Sequence, residues 1–219
     1  MFMSKKLTLA LVINATFIST TFASEQSDAK GFVEDAQGSV LFRTGFLNRD
    51  KKDGLSNDTS STAQTAIFTL NSGFTQGPIG FAVGVVGDTS FKLGDNKNTG
   101  NQMIPRDDQG QPYDHWARGG GQVKARISNT TLTYGTQISE LPVLASNTAR
   151  LVPEYYTGLL LHSHEIKNLG LIAAKFTKNQ WSNDISSDGQ NLDRAIVLGA
   201  TYKFNDHLNS VIIKIPVTK

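Results

Sequence analysis

Apolar and polar residues change places at every second position along most of this chain. In GSVLFRTGFLNRD, residues 38–50, one side carries Val40, Phe42, Thr44 and Phe46, and the other Leu41, Arg43, Gly45, Leu47 and Arg49. A period of two belongs to a strand with two unlike faces. AIFTLNSGFT (66–75) sets Phe68, Leu70 and Phe74 against Thr69, Asn71 and Thr75, and GFAVGVVG (80–87) sets Phe81, Val83 and Val85 against small residues. WARGGGQVKARIS (116–128) is sharper still, with Ala117, Val123, Ala125 and Ile127 opposing Arg118, Gln122, Lys124 and Arg126. Further strands are predicted at 131–138, 158–166, 169–177 and 194–204, with a ninth starting near Ser210.

The connections alternate in length. TQGPIG, SNTT, KNLG and FNDHL are tight turns, while 51–62, 88–115, 139–155 and 178–193 are long and polar or rich in Pro and Gly. An antiparallel meander with short turns at one end and long loops at the other is the plan of an outer-membrane barrel. Strands of about ten residues suffice to cross a thin hydrocarbon layer when tilted. The short turns are then periplasmic and the long segments extracellular. A secreted soluble β-fold with a binding or adhesion role is the alternative, because its strands alternate too.

Composition narrows the compartment. Lys5 and Lys6 precede an apolar run over 7–17, and Thr21-Phe22-Ala23 ends on a small residue. That is the layout of a secretory signal over residues 1–23, with Ser24 opening the mature chain. The full chain has Lys+Arg 21 against Asp+Glu 19, and the signal holds two lysines and no acid, so the mature part is formally neutral. Nothing in its charge suggests nucleic acid. There is no cysteine to staple an exported domain.

One segment fits neither period: LPVLASNTARLVPEYYTG, 141–158, with two prolines and one isolated arginine. Here the motifs resemble a known family. GFVEDAQGSVLFRTGFLNRD (31–50), GFTQGPIGFAVGVVG (73–87), WARGGGQVKARIS, the LPVLASN…RL.P run and HSHEIKNLGLIAAKFT (162–177) are similar to the OprD-like outer-membrane porins, channels for basic amino acids and small carboxylates. The resemblance implies an all-β, antiparallel transmembrane barrel of eighteen strands, of which about eight or nine are recognisable, so an N-terminal half over 24–219 is expected. It implies no cofactor and no catalysis. The partners it implies are small anionic or zwitterionic solutes, outer-membrane lipid and the barrel assembly machinery. The ending SVIIKIPVTK lacks a terminal aromatic residue, which suggests a chain interrupted near residue 210.

The resemblance also makes 139–155 an inward-folded constriction loop. Pro142 and Pro153 lack the donors that a strand needs, and irregular backbone at membrane depth is tolerated where it lines a wet lumen. Arg150 matches the family's eyelet arginine, and Tyr155 and Tyr156 would offer a slide beside it. A basic ladder is implied along the lumenal faces, here Arg43, Arg49, Arg118, Lys124, Arg126, Lys175 and Lys203. Successive shallow sites pass a carboxylate along where one deep site would trap it. No acidic partner for a solute's ammonium group stands out.

Enzymatic chemistry finds little support. In His162-Ser163-His164-Glu165, alternation turns Ser163 away from both histidines, and no GxSxG motif occurs. His162 and His164 share a face, yet two metal ligands without a third make a weak site. The polar run over 92–115 could hold a divalent cation, although a long exposed loop is commonly polar. NDTS and NTTL match glycosylation sequons, the second inside a tight turn.

Overall fold

The computed structural model describes residues 24–54, 56–94, 101–186 and 192–205, and 208–214 as backbone. The expected signal peptide and the chain ending lie outside the described residues.

The strands are β1 (Gln37–Arg49), β2 (Thr59–Asn71), β3 (Ile79–Lys92), β4 (His115–Ile127), β5 (Thr130–Gln137), β6 (Glu140–Leu141), β7 (Leu144–Ala145), β8 (Tyr155–Ile166), β9 (Leu169–Gln180), β10 (Ala195–Asn205) and β11 (Leu208–Lys214). Nine of them form one sheet in the order β1-β2-β3-β4-β5-β8-β9-β10-β11, every pair antiparallel, while β6 and β7 pair only with each other. The all-β meander is thus as the alternation predicts. Its tight turns are real: Ser128 and Asn168 take positive φ values of 53° and 65° at two of them, and Asn tolerates that region well.

Strand ends differ from expectation. β2 begins at Thr59, inside the segment expected as a loop, and β3 continues to Lys92. Thr59, Ser61 and Thr65 are polar yet buried, so no hydrophobic alternation announces that stretch. Pairing with β1 and β3 satisfies its backbone.

Register carries each face across the sheet, because directly paired residues project to the same side. Arg43 pairs with Thr65, Thr65 with Ser90 and Ser90 with Trp116. From β4 the same face runs through Lys124, Thr133, Leu160, Ala174 and Val197. The opposite face runs through Val83, Val123, Tyr134, Leu159, Lys175 and Ile196. Lys175 is therefore not with the other basic residues. Its neighbours Ala174 and Phe176 are buried on the first face, and alternation forces the lysine between them to the other side. Lys203 shares the parity of Val197 and Thr201, on the first face.

The two faces differ in what covers them. The second is bare and apolar: Phe42 and Phe46 are 71% and 70% exposed, and Phe81, Val83, Val123, Ile127, Tyr134 and Leu198 extend the surface. Such a continuous apolar band is far larger than a soluble monomer normally exposes. The first face carries loops. Both buried apolar clusters lie there, one joining Ala63, Met103, Ile104, Trp116, Leu151 and Val152, the other Leu141, Tyr156, Ala174, Phe176 and Val197.

Candidate functional site

The segment between β5 and β8 is the central feature of the loop-bearing face. β5 stops after eight residues, and the chain turns into β6 and β7, closed by Ser146 N–H donating to the Ser139 carbonyl at 2.7 Å. The expectation that 141–158 cannot pair is corrected: it pairs with itself, and its last residues belong to β8. Pro142 lies in the β6–β7 turn, where a fixed φ is useful and no donor is required. Leu141 anchors one end of the loop among Ala174, Phe176 and Val197 of β9 and β10. Leu151 and Val152 anchor the other end near β1, β2 and β4. Each such buried aliphatic side chain contributes about 1.5–3 kcal/mol. The loop thus crosses the whole face.

Gly45 permits the close approach. A Cβ there would meet Leu151 Cδ1 at 3.1 Å and Met103 Sδ at 3.3 Å. Met103 comes from the loop after β3, expected to be exposed and polar. Instead Asn101, Met103, Ile104 and Pro105 are buried, and Asn101 Nδ2 donates to the Leu47 carbonyl at 3.1 Å.

Two arginines fasten the loop. Arg43 Nη1 donates to the carbonyls of Thr148 and Arg150, at 3.0 and 2.5 Å. Arg118 holds more. Its Nε and Nη2 clasp the Asp88 carboxylate at 3.3 and 2.9 Å, Nη2 also reaches the Pro153 carbonyl at 2.6 Å, and Nη1 the Trp181 carbonyl at 2.5 Å. Tyr155 Oη donates to Asp88 at 2.8 Å, and its ring lies 5.1 Å from the guanidinium. Both ion-pair side chains are 0% exposed. This corrects the ladder in a second place after Lys175: Arg118 cannot meet a solute, because loop backbone and Asp88 enclose it. Tyr155 and Tyr156 are corrected as well. Tyr155 is 1% exposed and Tyr156 6%, the latter packed 5.5 Å from the Phe176 ring. They belong to the wall under the loop and offer no slide.

Asp88 was readable and missed. Carrying the alternation of GFAVGVVG one step beyond residue 87 puts Asp88 on the face of Ala82, Gly84 and Val86, beside the arginine-bearing strand. Gln26 had no comparable signal. It is buried, donates to the Thr75 and Gly77 carbonyls at 2.9 and 3.1 Å, and accepts from Arg126 Nε at 3.0 Å. Arg126 also lies 3.9 Å over the Phe74 ring.

The other basic residues are more open. Arg49 is exposed at the long-loop end of β1, and Lys203 is exposed near the end of β10. Lys124 Nζ donates to Asn71 Oδ1 at 3.0 Å and lines a cavity of about 420 Å³. Arg150 borders a smaller cavity of about 290 Å³ with Gln102, Asn147, Glu154 and Trp181. No hydrogen bond or ion pair holds its guanidinium among the described residues. His162 and His164 share the loop-bearing face, and no group of three metal-ligating side chains occurs among the described residues.

A meander bare and apolar on one side, with short turns at one end and an inward loop fastened by arginines, defines an outer-membrane β-barrel channel. Residues 30–213 match the model described as outer membrane porin, OprD family. The chain is 36% identical over 202 residues to Porin D of Pseudomonas aeruginosa, covering 88% of this chain and 45% of that protein. It is 34% identical to the porin-like protein GalP of Pseudomonas putida, covering 87% and 49%. The crystal structure of Acinetobacter baumannii OccAB1 superposes with a TM-score of 0.83 at 65% identity, over 88% of this chain and 47% of that one.

The chain belongs to the OprD family of outer-membrane porins, whose members are channels for small molecules and not enzymes. It spans about half the length of the curated relatives it matches. The soluble β-fold alternative ends here.

Proposed function

We propose that this chain forms part of a selective porin through which small carboxylates or basic amino acids diffuse passively across the outer membrane. Residues 139–155 act as its constriction, and Arg150 is the cation that a solute carboxylate meets there. The observation that carries this reading is the contrast within one loop. Arg43 and Arg118 bind its carbonyls, whereas the Arg150 guanidinium has no partner of its own among the described residues. A cation left unpaired beside a wet passage is available to a carboxylate, which it can bind in a bidentate manner.

Arg49, Lys124, Arg126 and Lys203 supply further steps of a basic pathway, each weak enough to release its solute. Arg43 adds positive potential while serving the loop. Export by residues 1–23, insertion by the barrel assembly machinery and contact of the apolar band with outer-membrane lipid belong to the same proposal. Nothing in the pathway calls for a cofactor.

The test is Arg150→Ala in the channel reconstituted in planar bilayers. Carboxylate flux at low solute concentration should fall about tenfold, as expected for loss of one charge-assisted contact, while the channel still opens. Unchanged carboxylate flux removes Arg150 from the pathway.

A further inference from the structure

We infer that Gln26, in the segment 24–36 that precedes β1, is a positioning residue: it reaches onto the sheet from outside and aims the Arg126 guanidinium at the short-turn end. The inference rests on the porin reading and adds to it a side chain that belongs to no strand.

Segment 24–36 lies across the short turns. The Gly73 N–H donates to the Phe32 carbonyl at 2.8 Å, and Gln76 Nε2 to the Lys30 carbonyl at 2.8 Å. Farther along, the Gln26 N–H donates to the Ser128 carbonyl at 3.1 Å, and the Glu25 N–H to Asn129 Oδ1 at 2.8 Å. The segment is thus tied to both the β2–β3 and the β4–β5 turns. Gly80 makes room for the Gln26 side chain, since a Cβ there would collide with its Oε1 and Nε2. Gly80 pairs with Arg126 and shares the parity of Ala82, so Gln26 is seated on the loop-bearing face.

Buried there, Gln26 uses both ends of its amide. Nε2 is spent on the Thr75 and Gly77 carbonyls. That leaves Oε1 as an acceptor of fixed direction, and Arg126 Nε donates to it at 3.0 Å. The Phe74 ring lies 3.9 Å from the same guanidinium. One contact fixes an edge of the group and the other fixes its plane. Among the described residues neither Nη makes a hydrogen bond and no acid pairs with Arg126. The edge they form matches the two oxygens of a carboxylate. An arginine already held in one rotamer loses less freedom on meeting a solute. Gln26 is neutral, so it orients the charge without cancelling it.

Propanoate and propanamide are nearly equal in size and differ in charge, so they are the probes, in liposomes containing the full channel. Gln26→Met keeps the length of the side chain and removes the acceptor. It should raise the half-saturating concentration for propanoate flux about threefold to tenfold and leave propanamide flux within about twofold. Gly80→Ala displaces Gln26 without changing it and should act in the same way, so that the test survives if one variant fails to fold. In an Arg126→Gln background neither change should move propanoate by more than about twofold, because no guanidinium is left to aim. A side chain that merely packs the turns would move both solutes together, with or without Arg126. That result overturns the inference, as does propanoate flux indifferent to Gln26→Met. A wild-type channel that passes neither solute overturns the porin reading itself, which a conducting wild type with an indifferent Gln26 variant does not.

Discussion

Toward the long-loop end of the loop-bearing face, Arg43 and Arg118 are engaged by the protein's own carbonyls and by Asp88. Toward the short-turn end, Lys124 meets only a neutral amide and faces open space. All three sit on one face by the same alternation, and yet the first two hold a loop while the third does not. What separates them is the set of acceptors within reach. Asp88 with the Pro153 and Trp181 carbonyls encloses Arg118 completely, and among the described residues no acid pairs with Lys124. Whether a basic residue on this face fastens the loop therefore depends on which acceptors face it.

The comparison breaks most visibly at Arg118. Arg118→Leu leaves the Asp88 carboxylate buried and unpaired beside Tyr155, a loss of about 3–5 kcal/mol. The thermal transition of the folded channel should drop, and single-channel conductance should rise as the loop loosens. Arg118→Leu combined with Asp88→Leu should cost less than Arg118→Leu alone, because no charge is stranded. An unaltered transition in the single variant would show that the loop is held by other contacts.

Gly45→Val tests the same fastening by shape alone. Its side chain would press on Leu151 and Met103, and overpacking of this kind costs about 1–3 kcal/mol. The measurement is again the thermal transition, with conductance as the readout of a shifted loop. A variant as stable as wild type would mean that the loop yields without cost.

The smallest effect belongs to the loop preceding β4. Lys92 Nζ lies 2.5 Å from Asp114, and its hydrogen bond and charge hold the Asp114 carboxyl below its ordinary value. A carboxyl with a depressed folded pKa stabilises above its unfolded pKa, and that stabilisation is lost as pH falls through the folded value. Asp114 is fully exposed to solvent, so solvent screening keeps the effect small. Asp114→Asn should leave the pH dependence of unfolding nearly unchanged below pH 5. A clear change there would point to a more enclosed pair.

How much of this was legible follows from what each signal depends on. The strands of Phe42 and Phe46, or of Val83 and Val85, announce themselves because one of their faces is apolar and exposed. β2 before Ala66 did not, because Thr59, Ser61 and Thr65 put polar side chains on its buried face and leave no hydrophobic period. Lys175 was misplaced for a related reason. In LGLIAAKFT both alternate sets are apolar or small, and only the burial of Phe176 against Leu141 decides which one faces inward.

The candidate site divides in the same manner. Arg150 could be singled out from a motif, since it stands alone in an unpaired segment. The enclosure of Arg118 and the burial of Tyr155 and Tyr156 join residues far apart in the chain, and no local pattern encodes them.

The sequence by itself determined the fold class, the two ends of the meander and the apolar band. Those features repeat at short range, and backbone geometry translates a period of two directly into faces. Only the tertiary structure decided which basic residues are anchors and which are open, because that depends on the acceptors the inward loop brings within hydrogen-bond distance. The loop's path is set by buried contacts at Leu141, Leu151 and Val152, and those contacts exist only once the wall has formed.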